Sequence, residues 1–134
     1  MPLVLDTHTL FWFVNGFEQL GPTSRQLIED TSRNDMVAVS AITFWELALL
    51  QERNRIELPY PVGQWRQRVP ADGVTEIPVT GDIGIAAVML KEFHSDPADR
   101  IITATAIMTS SRLVTADQGI LSWTGELSRH NASA

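Results

Sequence analysis

Cysteine is absent from this sequence of 134 residues, and Lys91 is its single lysine. Without cysteine, the chain can form no disulfide framework, no thiolate metal site and no thiol nucleophile. Long hydrophobic runs are absent too, because no segment approaches the ~18 consecutive apolar residues of a membrane-spanning helix. The N-terminus has neither the basic start nor the cleavage site of a signal peptide. These absences predict a cytoplasmic protein that is not associated with a membrane.

Basic residues are also scarce. The sequence has 10 lysines and arginines against 16 aspartates and glutamates, which gives a net charge of −6. A protein that coats nucleic acid through charge alone carries a basic surplus, so the sequence excludes that class. The acidic excess indicates either a solvated surface or carboxylates gathered around divalent cations.

Short apolar strands alternate with helices along the chain. The pattern predicts strands near residues 3–5, 36–39, 74–79 and 113–115, and helices near 8–14, 24–32, 41–51, 64–69, 80–90 and 98–110. This alternation indicates an α/β domain with a short parallel sheet of four or five strands, covered by helices on both faces. We assign residues 1–125 to the domain and residues 126–134 to a polar tail, expected to be frayed with at most an edge strand near 126–129.

Two carboxylates directly follow predicted strands. Asp6 ends the first strand, and Asp117 lies two residues beyond Thr115 at the end of another. In open parallel sheets, ligands bind beyond the carboxyl ends of the strands, so both side chains are expected at one edge. The alternative is that each aspartate forms a turn or caps the helix that follows it.

Glu46 is the only charged residue in the segment 41–50. Its neighbours predict a helix that is apolar on every side and therefore buried. Burial of a lone carboxylate costs on the order of several kcal/mol unless a counter-charge or a metal offsets it. Glu46 is therefore predicted to be a site residue or to pair with an arginine such as Arg100.

Two further acids, Asp96 and Asp99, stand three residues apart at the start of a predicted helix. Asp96 before Pro97 has the pattern of a helix N-cap, and capping is its expected role. Asp99 then projects from the first turn of an otherwise apolar helix, where the helix dipole favours an anion. That position favours a functional carboxylate.

Carboxylates gathered in a pocket without cysteine are typical ligands of Mg²⁺ or Mn²⁺. One or two such ions activate a water and neutralise a phosphodiester during its displacement. The sequence therefore favours phosphodiester hydrolysis. Phosphoryl transfer to an aspartate is disfavoured, because His8 stands where a second carboxylate would be needed.

As a set, these residues resemble the PIN-domain ribonucleases, and in particular the VapC-type toxins of bacterial toxin–antitoxin pairs. The stretches that carry the resemblance are LDTHTLFW (5–12), LGPTSRQLIE (20–29), VSAITFWELALL (39–50), HSDPADRIITATA (94–106) and LVTAD (113–117). The resemblance implies a PIN-like α/β/α sandwich and an endoribonuclease that depends on Mg²⁺, with Mn²⁺ as the second candidate. It also implies an RNA substrate, a homodimer and neutralisation by a cognate antitoxin protein.

The resemblance further implies roles for individual residues. Asp6, Glu46, Asp99 and Asp117 would be the catalytic acids, and Asp6, Asp99 and Asp117 the metal ligands. Thr7, Arg100 and Thr115 would support the site or contact the substrate. Two alternatives stay open: a PIN nuclease that processes RNA without acting as a toxin, and a PIN scaffold that only binds partners.

Other residues have ambiguous signals. His8 and His94 flank acids, but a structural or hydrogen-bonding role is expected because no third ligand stands at metal spacing in the sequence. Four arginines form either a basic rim for RNA or ordinary solvated charges: Arg53, Arg55, Arg66 and Arg68. The aromatics are expected mainly in the core, with some in a partner groove: Phe11, Trp12, Phe13, Trp45 and Trp65.

Overall fold

A computed structural model describes all 134 residues. It contains one parallel sheet of five strands, in the order β3-β2-β1-β4-β5. The strands are β1 (Leu3–Leu5), β2 (Val37–Ser40), β3 (Val74–Ile77), β4 (Arg112–Thr115) and β5 (Arg129–Asn131). The parallel sheet predicted from the alternating pattern is confirmed, with the larger of the two expected strand numbers.

Helices connect the strands at close to the predicted positions. They are α1 (Thr7–Asn15), α2 (Pro22–Asn34), α3 (Ile42–Glu52), α4 (Val62–Arg68), α5 (Gly81–Met89), α6 (Pro97–Met108) and α7 (Gln118–Leu121). A 3₁₀ turn at Val69–Asp72 follows α4. None of these helices combines the length and apolarity that a membrane crossing requires.

The sheet is buried on both faces, which is the reason for its continuous apolar strands. In β1, Leu3 and Leu5 pack into a core with residues of α1 to α4, whereas Val4 points to the opposite face. There it meets Ile102 of α6 in a second core. Alternate residues of one strand thus hold the two helical layers, and the α/β/α sandwich implied by the resemblance is confirmed.

Helix α3 differs from the expectation of burial on every side. Phe44 and Leu47 lie in the core, but Trp45 is 51% exposed and Ala48 is exposed as well. The helix covers the sheet with one face only, so its outward apolar residues contact solvent. Of the two expectations for the aromatics, core or partner groove, the exposure of Trp45 fits the second.

The expectation of a frayed C-terminal tail is also wrong. The tail contains strand β5 at residues 129–131, slightly after the edge strand predicted near 126–129. This strand pairs in parallel with β4. Ala132 is fully buried, and the backbone N–H of Ser24 donates to the carbonyl of Ala134. A Cβ atom at Gly21 would overlap Ala134, so the glycine permits this close approach. The division of the chain at residue 125 stays a prediction.

The chain topology determines where a ligand can bind. From the central strand β1, the chain continues outward through β2 and β3, and then returns to add β4 on the other side. The neighbouring strands β1 and β4 thus lead into connections that diverge from one another. In parallel sheets this switch point opens a crevice beyond the carboxyl ends of the strands.

Candidate active site

A cleft of about 410 Å³ opens at this switch point. Five of the residues around it are acidic, and they come from four separate segments of the chain, because two of them lie at the start of α6. The lining consists of Asp6, Thr7, His8, Trp12, Glu46, Asp96, Asp99, Ala116 and Asp117. All four predicted catalytic acids therefore line one cleft, together with Asp96.

Asp6 is the most buried of these acids, with 7% of its surface exposed. One oxygen, Oδ1, accepts the backbone N–H of Thr9 at 3.0 Å and so caps α1. The other, Oδ2, accepts the hydroxyl of Thr115 at 2.5 Å, which joins the ends of β1 and β4. Burial raises the pKa of Asp6, and these hydrogen bonds counteract the rise. Asp6 therefore caps α1 and lines the cleft at the same time.

Asp96 and Asp117 have the same dual arrangement. Asp96 Oδ1 accepts the backbone N–H of Asp99 at 2.9 Å and caps α6, as predicted. Asp117 Oδ1 accepts the N–H of Ile120 at 3.0 Å and caps α7. Each carboxylate uses one oxygen for its cap, which leaves the second for the cleft. The positive ends of α1 and α6 help to hold negative charge here.

Glu46 reaches the cleft from α3, and the predicted alternative of a pair with Arg100 is wrong. Helix α3 is connected to α1 by a hydrogen bond in which the hydroxyl of Thr7 donates to the hydroxyl of Thr43 at 3.2 Å. Burial raises the pKa of Glu46, the contact with Thr7 opposes the rise, and repulsion from Asp96 and Asp6 adds to it. Glu46 forms no ion pair with an arginine or lysine.

Asp99 lies at the centre of the acidic group. Burial is the main cause that raises its pKa to about 6, and repulsion from Asp96, Asp117 and Glu46 contributes. The partner that opposes the rise is His94, whose Nε2 lies 2.8 Å from Asp99 Oδ2. Neither arginine nor lysine forms an ion pair with any acid of the cleft.

The donor atoms of the cleft form two groups that share Asp99. One consists of Glu46, Asp96 and Asp99, the other of His94, Asp99 and Asp117. Within each group the donor atoms lie within 4.8 Å of one another, so a divalent cation could contact three side chains at once. Asp6 lines the same cleft but is in neither group. The oxygen-rich donor set fits a hard divalent cation.

Arg100 is placed differently from the interpretation as an ion-pair partner. Its guanidinium donates to the carbonyls of Phe93 at 2.6 Å, Ala87 at 3.0 Å and His94 at 2.9 Å. It therefore fixes the loop between α5 and α6, and it supports the cleft only through His94. Thr7 and Thr115, the other predicted support residues, both lie beside the acids.

His94 and Asp96 are members of the site that the spacing of residues did not reveal. The sequence has no third ligand at metal spacing from His94, but in the structure Asp117 approaches it from a distant part of the chain. Only the sheet topology brings these residues together. One feature of the sequence could have indicated a role for His94: it lies five residues before Asp99, in the loop that leads into α6.

Three of the four arginines have defined surroundings, and only one of the three lies beside the cleft. Arg66 forms a bidentate pair with Glu76 at 2.6 and 2.8 Å, and Arg68 lies over the ring of Tyr60. Arg53, in contrast, lines a groove of about 340 Å³ with Trp45, which also borders Glu46. Arg66 thus has a carboxylate partner of its own, whereas Arg53 lies next to the cleft, and the basic rim for RNA stays a prediction.

The sequence matches the PIN domain family over residues 3–123. It belongs to this family of α/β domains.

Among curated proteins, Ribonuclease VapC22 of Mycobacterium tuberculosis is 40% identical over 121 residues, which is 90% of each chain. Among solved structures, VapBC2 from Rickettsia felis bound to a promoter DNA fragment has a TM-score of 0.72 and 19% identity, over 98% of both chains. A toxin–antitoxin complex from Klebsiella pneumoniae has a TM-score of 0.66 and 21% identity, over 97% of both. These likenesses confirm the fold over nearly the whole chain.

Proposed function

We propose that this protein is a Mg²⁺-dependent endoribonuclease that hydrolyses RNA phosphodiester bonds as the toxin of a toxin–antitoxin pair in the cytoplasm. The observation that carries the proposal is the cleft of five acids at the switch point of a PIN domain, none of which forms an ion pair with an arginine or lysine. The likeness to a curated ribonuclease at 40% identity supports RNA as the substrate.

In this proposal Asp6, Asp99 and Asp117 hold the cation. When bound, a divalent cation would lower the pKa of an attacking water and neutralise charge on the phosphodiester. Glu46, whose pKa is raised by burial, would accept a proton from the water at a side-chain oxygen. Thr115 holds Asp6 in place through its hydroxyl, and the helix that Asp6 caps fixes the carboxylate further.

We propose a cognate antitoxin as the protein partner, on the basis of structural neighbours that are toxin–antitoxin complexes. The acidic cleft would attract a guanidinium group from the antitoxin, because arginine binds carboxylates in a bidentate manner. The neighbouring groove with the exposed Trp45 would accept an apolar segment of the same chain. High Mg²⁺ would then weaken the inhibition.

Self-association into a homodimer is part of the proposal. Helix α5 exposes three apolar side chains at helical spacing, with Ile85, Val88 and Met89 at 66%, 76% and 67%. A cluster of this kind on one helix face is typical of an interface. In light scattering, Val88→Asp is expected to give the monomer mass where the wild type gives the dimer. A dimer that persists would show that another face associates.

The experiment that tests the function compares RNA ends after induction of the wild type and of Asp6→Asn. Asparagine retains a side-chain oxygen that can cap α1, so the fold is preserved while the anionic ligand is lost. New RNA ends and growth arrest are expected with the wild type only. Equal toxicity of a soluble Asp6→Asn protein would refute the assignment.

A second candidate is a PIN nuclease that processes RNA as part of normal metabolism. It uses the same cleft, so the likeness to toxin–antitoxin complexes is what favours the toxin. A gene for a small DNA-binding protein directly upstream would support the toxin. A non-catalytic PIN scaffold predicts instead that Asp6→Asn has no effect on RNA.

A further inference from the structure

His94 places an imidazole nitrogen among the carboxylates at one side of the cleft. Its Nε2 lies 2.8 Å from Asp99 Oδ2, and donor atoms of His94, Asp99 and Asp117 all lie within 4.8 Å of one another. The other donor group contains oxygen atoms only, from Glu46, Asp96 and Asp99. The cleft thus offers two chemically different positions for a cation.

The imidazole ring is fixed by its surroundings. It stacks on the buried ring of Phe93 with a centroid distance of 4.5 Å and an interplanar angle of 23°. Arg100 anchors the backbone on both sides of the ring by donating to the carbonyls of Phe93 and His94. A donor that is held in place before binding loses little entropy when a ligand arrives.

Gly119 allows His94 and Asp117 to approach each other. A Cβ atom at residue 119 would lie 3.0 Å from both His94 Nδ1 and Asp117 Oδ1. That distance is tighter than ordinary contacts, so a side chain there would push the two donors aside. The absence of a side chain therefore helps to form the mixed group.

We propose that His94 is a metal ligand, which completes a nitrogen-and-oxygen site with Asp99 and Asp117 for a first-row transition cation. Mg²⁺ requires oxygen ligands, whereas transition ions accept imidazole together with carboxylates. The imidazole would then raise the affinity of this position for Mn²⁺ relative to Mg²⁺, while Asp99 and Asp117 stay available as oxygen ligands for either ion. The inference rests on the proposed function only in assuming that the cleft binds a cation.

Mn²⁺ is the probe, because its unpaired electrons report on directly bound nitrogen. Pulsed electron paramagnetic resonance on the full-length protein with Mn²⁺ is expected to show ¹⁴N coupling from histidine. The coupling should disappear in His94→Gln and persist in the control His8→Gln, which alters the other histidine near the cleft. Wild-type protein that binds Mn²⁺ without ¹⁴N coupling would overturn the proposal, as would loss of coupling in His8→Gln alone.

Competition between the two ions gives a second readout. His94→Gln should reduce the ratio of Mn²⁺ to Mg²⁺ affinity at least about tenfold. If His94 only oriented Asp99, both affinities would fall equally. Gly119→Ala should weaken the coupling while the donor residues stay present. Should His94→Gln not fold, coupling retained in both His8→Gln and His130→Gln would assign the signal to His94, since the chain has 3 histidines.

These outcomes separate the inference from the proposed function. Oxygen-only Mn²⁺ binding with intact RNA cleavage would refute the role of His94 and leave the nuclease proposal standing. No Mn²⁺ or Mg²⁺ binding at all would refute both. ¹⁴N coupling in a protein that cleaves no RNA would support the His94 site and refute the nuclease.

Discussion

Most acids of the cleft and the two arginines Arg100 and Arg129 are at least partly buried charges, but their hydrogen-bond partners differ in kind. Arg100 and Arg129 donate to backbone carbonyls on nearly every side, for instance from Arg129 to Ile120 at 2.6 Å and to Trp123 at 2.9 Å. The acids have some hydrogen-bond donors but no arginine or lysine partner.

The difference is informative because Arg100 follows Asp99 directly in sequence and still turns away from it. Neutral carbonyls satisfy the guanidinium groups, so these arginines contribute to the fold. Burial raises the pKa of Asp6, Glu46 and Asp99, and repulsion between acids adds to the rise for Glu46 and Asp99, so keeping these groups ionised in the fold costs stability. A bound cation would offset that cost.

The largest effect is expected from Asp99→Asn, which affects activity and stability in opposite directions. Loss of the shared ligand should reduce RNA cleavage by about 100-fold or more. Without metal, the same change removes a charge that burial disfavours and that Asp96 and Asp117 repel, so the free energy of unfolding should rise by about 1 kcal/mol. Cleavage assays and urea unfolding in chelator measure the two effects. A variant that is both active and less stable would contradict the comparison.

Arg129→Ala should reduce stability by about 2–3 kcal/mol, because it leaves carbonyls of the α7 region without their charged donor. Urea unfolding measures the loss. The matched control is Arg33→Ala, which removes only an exposed pair with Asp30 and should change stability by less than about 0.5 kcal/mol. Equal effects of the two variants would show that the carbonyl contacts of Arg129 contribute little.

The pH dependence of the metal-free protein follows from Asp99. Its pKa is raised from 3.8 to about 6 in the folded state, so the folded chain binds more protons than the unfolded chain between these values. Stability should therefore decrease as pH rises from about 4 to 6, by about 1–2 kcal/mol after allowance for solvent screening.

Chemical unfolding at several pH values in chelator measures this slope. Asp99→Asn should flatten it, whereas Glu18→Gln at an exposed position should not. If the slope of stability against pH were unchanged in Asp99→Asn, titratable groups other than Asp99 would be its cause.

The smallest effect is expected for Glu76→Gln, which breaks the bidentate pair with Arg66. That arginine side chain is 55% exposed, so solvent screens the pair and the loss should be about 0.2–1 kcal/mol by thermal unfolding. Neither Arg66 nor Glu76 lines the cleft, so RNA cleavage should be unchanged. A loss of stability as large as that of Arg129→Ala would contradict the distinction between exposed arginines such as Arg66 and the partly buried arginines that donate to backbone carbonyls.

The sequence predicted the sheet and the four acids because both depend on local patterns. Apolar strands that end in Asp6 or lead to Asp117 define the carboxyl edge, and Glu46 is conspicuous in an apolar helix. The group of His94 with Asp117 could not be found in this way, because it depends on how β4 and the α5–α6 loop meet in space.

The C-terminal strand was predicted only as an edge strand at most, near 126–129, for another physical reason. Its residues Arg129 to Asn131 are polar, so neither alternation nor hydrophobicity marks them. Their stability comes from pairing with β4, from the contact between His130 and Ser24, and from the backbone approach at Gly21. All of these involve residues distant in sequence.

Calorimetric titration with Mg²⁺ tests the central claim, that folding gathers these carboxylates to hold a divalent cation. The wild type should bind Mg²⁺, and the variant with Asp6→Asn, Asp99→Asn and Asp117→Asn should show no binding at the same concentrations. Unfolding curves in chelator would establish that this variant is folded. Equal Mg²⁺ binding by the folded variant and the wild type would contradict the account and place the cation elsewhere.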